Sequence, residues 1–151
     1  MDNKTLIKNL CELAQLDIDA TRAYAQALDN IDHPVIHSQI SSFKADHDRH
    51  VHDLSAAIRR LGGEPPNFKP DLKGFFIEGF TAIRSMTGTE GALKAMRSNE
   101  KLTNRTYEKA LDWELPIEIK ALVDKNLSDE KRHLAYIEQA IESKAWETTS
   151  V

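Results

Sequence analysis

Glycine, proline and cysteine are all scarce in this chain, and each shortage removes a class of structure. Six glycines and five prolines among 151 residues come to about 7%, against roughly 12% in average usage, too few turn-formers for a sandwich, a barrel or a disordered chain. The single cysteine, Cys11, has no partner for an internal disulfide, and the opening Met-Asp-Asn-Lys-Thr-Leu has no apolar core of a secretion signal. A reducing cytoplasm is therefore the expected compartment. No uninterrupted apolar run approaches the roughly 18 residues of a spanning helix, so no transmembrane segment is expected. Cations are in deficit too, with 20 basic residues against 24 acidic ones and a net charge of -4. No basic block marks an electrostatic footprint, and nucleic acid is not an expected partner. What is present is 40% hydrophobic and 29% charged, which suits one domain over residues 1–151 with a substantial core. Six histidines are the unexplained surplus.

The apolar residues recur at steps of three and four, the spacing of helices. Leu6, Leu10, Leu13, Ala20 and Leu28 predict a first helix over about 4–30. Asp32-His33-Pro34 offers a cap and a first-turn proline, and Ile36, Ile40, Phe43, Val51, Leu54, Ile58 and Leu61 carry a second helix over 34–61 until Gly62-Gly63-Glu64-Pro65-Pro66 stops it. Thr87 to Glu90 has capping-box spacing ahead of Leu93, Met96, Leu102 and Leu111, predicting a third helix over 89–113. Pro116 opens a fourth, through Ile119, Val123, Leu127, Leu134, Ile137 and Ile141 to about 145, fraying near Trp146. The short links within the first and second pairs predict antiparallel hairpins. The 62–88 crossover, with Leu72, Phe76, Phe80 and Ile83 at helical spacing, predicts a short extra helix. The fold class expected is all-α, a four-helix bundle of two hairpins. Phe75, Phe76 and Phe80 suggest a bundle cap or a homodimer or higher homo-oligomer surface.

Sliding the chain against itself by 83 residues aligns 17–62 with 100–145 without a gap, with 11 identities in 46 positions, where chance gives roughly three. Tyr24 falls on Tyr107, Ala27-Leu28-Asp29 on Ala110-Leu111-Asp112, Arg49 on Arg132 and His50 on His133. The two hairpins read as duplicated copies. Each helix also breaks its apolar stripe near its middle with an ionisable group: Asp17, His47, Glu100 and Glu130. Burying carboxylates together costs several kcal/mol each unless protons, cations or metal ions neutralise them, and no Lys or Arg shares those positions. Glu130 and His133 lie three residues apart on one helical face, as do His47 and His50. The intervals from Asp17 to His50 and from Glu100 to His133 are equal at 33 residues. Imidazole with carboxylate is the usual ligand set for iron, manganese and zinc, so Asp17, His47, His50, Glu100, Glu130 and His133 are the candidate ligands. Asp46 and Asp129, one turn ahead of the histidines, stand in reserve. The plain alternatives are interhelical hydrogen bonds for the histidines, a buried polar network for the acids, and core packing with a satisfied hydroxyl for Tyr24 and Tyr107. His33, His37 and His52 read as surface residues, and Cys11 as a small apolar one.

With its acid-x6-Tyr pattern at Asp17 to Tyr24 and again at Glu100 to Tyr107, its x-x-His elements and the Leu-Gly-Gly-Glu-Pro-Pro ending of the second helix, the chain resembles the ferritin-like superfamily, in particular small bacterial four-helix members of unassigned function. The resemblance covers about residues 4–145 and implies a ferritin-like bundle. It implies terminal carboxylates at Asp17 and Glu100, a bridging carboxylate at Glu130, and imidazole ligands at His50 and His133. His47 stands where that pattern has a second bridging Glu. Three carboxylates then face the four positive charges of two divalent ions, so a symmetric pair, an asymmetric pair and a single ion all stay open. The function expected is iron binding, by one or two ions, with manganese or zinc served by the same ligands; if the protein is catalytic, the chemistry expected is oxidation of ferrous ion or reduction of oxygen or peroxide. A helical structural or stress-associated protein with a vestigial site, and a hydroxylase-like enzyme, are the competing readings.

Overall fold

A computed structural model describes residues 1–67 and 87–148. Four long helices carry it: α1 Asn3–Leu28, α2 Pro34–Arg60, α3 Gly88–Ala110 and α4 Ile117–Glu142, followed by a 3-10 turn at Ala145–Glu147. It is an all-α four-helix bundle. The side-chain contacts fix its topology. Asn3 Nδ2 reaches the Leu61 carbonyl at 3.1 Å, so α1 begins where α2 ends. Asn104 Nδ2 reaches the Glu130 carbonyl at 3.1 Å and Asn126 Nδ2 the Tyr107 hydroxyl at 3.2 Å, so α3 and α4 also run antiparallel. Asp32 at the far end of the first hairpin accepts from Thr89 Oγ1 at 2.9 Å, which puts the start of α3 opposite the end of α2. The extra helix expected in the crossover, with Phe75, Phe76 and Phe80, lies outside the described residues.

The helix ends follow local chemistry that periodicity does not report. Asp2 caps α1 by accepting from Thr5 N at 2.7 Å. His33 caps α2, its Nδ1 accepting from Ile36 N at 3.3 Å, while its Nε2 lies 2.8 Å from the Thr148 carbonyl; it is half-buried rather than a plain surface residue. Gly62 stops α2 with φ +88°, and the bonds from Gly62 N to Arg59 O and from Gly63 N to Ile58 O, each 2.9 Å, form a Schellman closure. A Cβ on Gly63 would sit 2.6 Å from Ile7 Cγ2, so the second glycine admits α1 against the turn. The capping box expected at Thr87 does not form: Thr87 sits at the cap position without a side-chain bond. The third helix closes at Ala110 rather than 113, because tight turns bond Asp112 N to Lys109 O and Trp113 N to Ala110 O and bring Leu111, Trp113 and Leu115 against the core. The fourth starts after Pro116 and ends at Glu142. Lys144, at φ +51°, turns the chain so that Trp146 packs back instead of fraying.

Two apolar clusters fill the bundle. One gathers Leu6, Leu10, Leu13, Leu54, Ile58, Val123 and Leu127, and the other Ile31, Ile36, Ile40, Phe43, Leu93, Met96 and Ile137. Each fully buried Leu or Ile contributes about 1.5–3 kcal/mol from area alone. Between the clusters, at mid-height, lies the ionisable layer.

Candidate metal centre

The spacing that interrupts each stripe delivers six ionisable side chains to one place. Asp17 from α1, His47 and His50 from α2, Glu100 from α3, and Glu130 and His133 from α4 are each 0–1% exposed. They fall into two overlapping groups, Asp17, His47, His50 and Glu130, and His47, Glu100, Glu130 and His133, each offering ligand atoms within 4.8 Å of one another. In the first group Asp17 Oδ1 lies 2.8 Å from His47 Nδ1 and 3.1 Å from His50 Nδ1, while Glu130 Oε1 lies 3.2 Å from His50 Nδ1 and 3.4 Å from His47 Nδ1. In the second, Glu100 Oε1 lies 3.2 Å from His47 Nε2 and 3.4 Å from His133 Nδ1, and Glu130 Oε2 lies 3.6 Å from that same Nδ1. Donor atoms bound to one ion at about 2.0–2.1 Å are themselves roughly 3–3.4 Å apart, so these gaps have the size of a coordination shell.

A shell of outer contacts aims the ligand atoms. His50 Nε2 points away from the layer to Asp129 Oδ2 at 2.9 Å, and His133 Nε2 to Asp46 Oδ2 at 2.8 Å. Both rings therefore present Nδ1 inward, in the manner of carboxylate–histidine–metal chains. Asp46 and Asp129 join neither group; they act from outside it. Arg132 Nη2 donates to Asp46 at 2.7 Å and to Asp129 Oδ1 at 3.2 Å, and Arg49 pairs with Asp129 and, at 3.2 Å, with Asp46. The tyrosines work crosswise as well. Tyr24 of α1 donates to Glu100 of α3, and Tyr107 of α3 donates to Asp17 Oδ2 of α1 at 2.5 Å. Their hydroxyls orient carboxylates as well as pack.

Sequence reasoning missed three polar supports. Thr103 Oγ1 donates to Glu100 Oε2 at 3.1 Å and Glu130 Oε2 at 3.2 Å, Asn104 Nδ2 holds the Glu100 carbonyl at 2.7 Å, and Asn126 donates to Tyr107. Asn126 is the repeat partner of Phe43, which stacks on His133 with ring centroids 4.3 Å apart, so the two halves diverge at that position.

Charge in the layer is matched by protons. Burial works against a charged ring at each histidine, but the facing acids prevail. Asp17, by its charge and hydrogen bond, and Glu130 raise His50 to about 10, Glu100 and Glu130 raise His133 to about 9, and Glu130, Asp17 and Glu100 raise His47 well above its ordinary value. Burial opposes ionisation of Asp17, yet His50 and His47 hold it down to about 2, and His133 and His47 hold Glu100 well below the usual range. Burial and the neighbouring Glu100 push Glu130 up. Three imidazolium rings facing three carboxylates leave the layer near neutral. Two atoms stay unsatisfied in it: Glu130 Oε1 and His133 Nδ1 are buried with no partner in hydrogen-bonding geometry. Such orphans are costly in a closed interior, and both belong to the groups just described. Buried oxygen and imidazole donors of this kind fit a metal ion.

Among the described residues no helix is long and apolar enough to cross a membrane. Cys11 is half-buried, with its thiol pushed up by burial, consistent with an inert packing residue. No curated protein matches the chain. A family match runs over residues 5–113, taking in α1, α2 and α3 with Asp17, Tyr24, His47, His50, Glu100 and Tyr107, and stopping short of Glu130 and His133. Since that span is well over half of the sequence, the chain belongs to the family described as Domain of unknown function (DUF2383).

Proposed function

We propose that this is a ferritin-like metal-binding protein in which Asp17, His47, His50, Glu100, Glu130 and His133 hold one or two divalent ions, iron first, with manganese or zinc served by the same donors. One observation carries the reading: two overlapping sets of buried carboxylate and imidazole atoms, spaced as ligands are spaced, with Nε2 of His50 and His133 tied to Asp129 and Asp46 so that Nδ1 faces inward. Bound iron would supply one-electron redox chemistry, such as oxidation of ferrous ion or reduction of oxygen or peroxide. The protein's own part is to fix the donors. Tyr107 holds Asp17 at its outer oxygen, Tyr24 holds Glu100 at the same oxygen that faces His47 and His133, Thr103 braces Glu100 against Glu130, and the apolar clusters above and below exclude water. The protein is proposed to act in the cytoplasm.

A second reading rests on the charge pattern. Three protonated rings against three carboxylates make a neutral layer without any ion, as a helical structural or stress-associated protein with a vestigial site would require. Elemental analysis separates the two. Protein purified without chelator or affinity tag, then loaded anaerobically with ferrous ion at pH 7, is expected to carry one or two metal ions per chain, and the His50→Ala/His133→Ala variant to carry none. Native protein that binds no metal under these conditions refutes the metal reading and leaves the structural one. Stopped-flow oxygen consumption on loaded protein then tests for turnover.

A further inference from the structure

The three histidines of the layer are not equivalent. His50 and His133 each spend Nε2 on an outer aspartate and so have one nitrogen to offer inward. His47 has no such outer tie. Its Nδ1 lies 2.8 Å from Asp17 Oδ1, in the half of the layer that holds His50, and its Nε2 lies 3.2 Å from Glu100 Oε1, in the half that holds His133. The ring sits between its two neighbours, with centroids 5.5 Å from His50 and 5.2 Å from His133. Glu130 is placed in the same divided way, Oε1 toward His50 and Oε2 toward His133. These two residues are the members common to both ligand groups.

Given the metal-binding reading above, the geometry points to His47 as a bridging ligand that binds one ion through Nδ1 and a second through Nε2. A ring bound at both nitrogens has released its N–H protons to solvent and carries one negative charge. With Asp17, Glu100 and Glu130 that makes four negative charges against the four positive charges of two divalent ions, closing the deficit left by the missing fourth carboxylate. The bridge also sets the spacing. Two metal–nitrogen bonds of about 2 Å plus the width of the ring put the ions about 6 Å apart, whereas two-metal sites of the usual kind hold them at about 3.5–4 Å. The site is then a pair of separate ions on either side of an aromatic ring.

The test is a crystal structure of the full chain loaded with cobalt(II), the ions located by anomalous scattering, alongside the His47→Glu variant. Two ions about 6 Å apart with the His47 ring between them are expected in the native protein, contracting to about 3.5–4 Å when a carboxylate replaces the ring. In solution, His47→Gln is expected to weaken the second ion at least tenfold while the first stays bound. Two ions at the short spacing in the native protein, or His47 bound through one nitrogen, or a single ion, overturns the bridge and leaves the metal-binding reading standing. No ion at all overturns both. The native crystal decides the matter even if both variants fail to fold.

Discussion

Metal and protons compete for the same nitrogen atoms, and the competition can be counted. At pH 7 His50, raised to about 10, and His133, raised to about 9, are protonated in the metal-free layer, and His47 is held charged by the acids on both of its sides. A ring cannot donate a lone pair from a protonated nitrogen, so filling the layer must expel about three protons if each ring binds once, and about four if His47 binds at both nitrogens. Apparent affinity should therefore rise about tenfold per pH unit for each proton released. Zinc(II) titrated calorimetrically at pH 7, in buffers of different ionisation enthalpy, gives the proton number as the slope of observed heat against buffer heat. The number should fall as the pH passes 9 and then 10, where the rings have already lost their protons. A slope of zero at pH 7 with zinc bound would refute the account, because it would mean that the rings are neutral beside three buried acids.

Three other outcomes follow from the same contacts. In chelator, the raised histidines contribute stability that is complete below their unfolded value near 6.5 and is lost as pH rises through about 9 and 10, while depressed Asp17 contributes above about 4 and loses it toward about 2; thermal melts should peak between about pH 4 and 6.5, and a melting point that climbs from pH 6.5 to 9 contradicts this. Asp46→Ala and Asp129→Ala should each weaken metal binding about 10–100-fold by removing the acceptor that holds a ring nitrogen outward, and unaltered affinity in both, measured by chelator competition, would dismiss these aspartates as supports. Tyr24→Phe and Tyr107→Phe should each cost about 1–3 kcal/mol in urea unfolding of the metal-free protein. Tyr107→Phe should cost more, because Asn126 loses its acceptor as well, and a smaller loss for Tyr107→Phe would speak against that ordering.

The sequence made legible whatever depends on position along one helix. Stripe periodicity located α1 to α4, and the breaks at Asp17, His47, Glu100 and Glu130, with the x-x-His spacing, named all six residues that the fold buries together. Contacts between helices were not legible. Asp17 and Tyr24 share a face two turns apart, yet each tyrosine serves the acid of the other hairpin, because spacing states which way a side chain points and not what stands opposite. Asp46 likewise lies one turn from His50 but bonds His133 on α4. Which ring nitrogen turns inward depends on that outer partner, so the division of His47 between two groups had no counterpart in the string of letters. Asn126 left no trace in the repeat, since its counterpart is Phe43. The helix ends fell within three residues of the expected positions, α2 starting at Pro34 as expected with His33 as its cap, and the differences were similarly local, as where Lys144 turns the chain left-handed after α4.

The crosswise pairing has a consequence for how the hairpins find each other. Apolar stripes of Leu, Ile and Ala are nearly periodic, and two such surfaces could slide past one another by a helical turn, about 5.4 Å, while still burying comparable area. The tyrosine and aspartate links do not permit it. Slipping one hairpin against the other by a turn would part Tyr24 from Glu100, Tyr107 from Asp17, His50 from Asp129 and His133 from Asp46 at a stroke, stranding donors and acceptors in a dry interior. The layer is thus a vernier mark: it selects one alignment from several that the greasy surfaces alone would accept, whether or not an ion ever enters it.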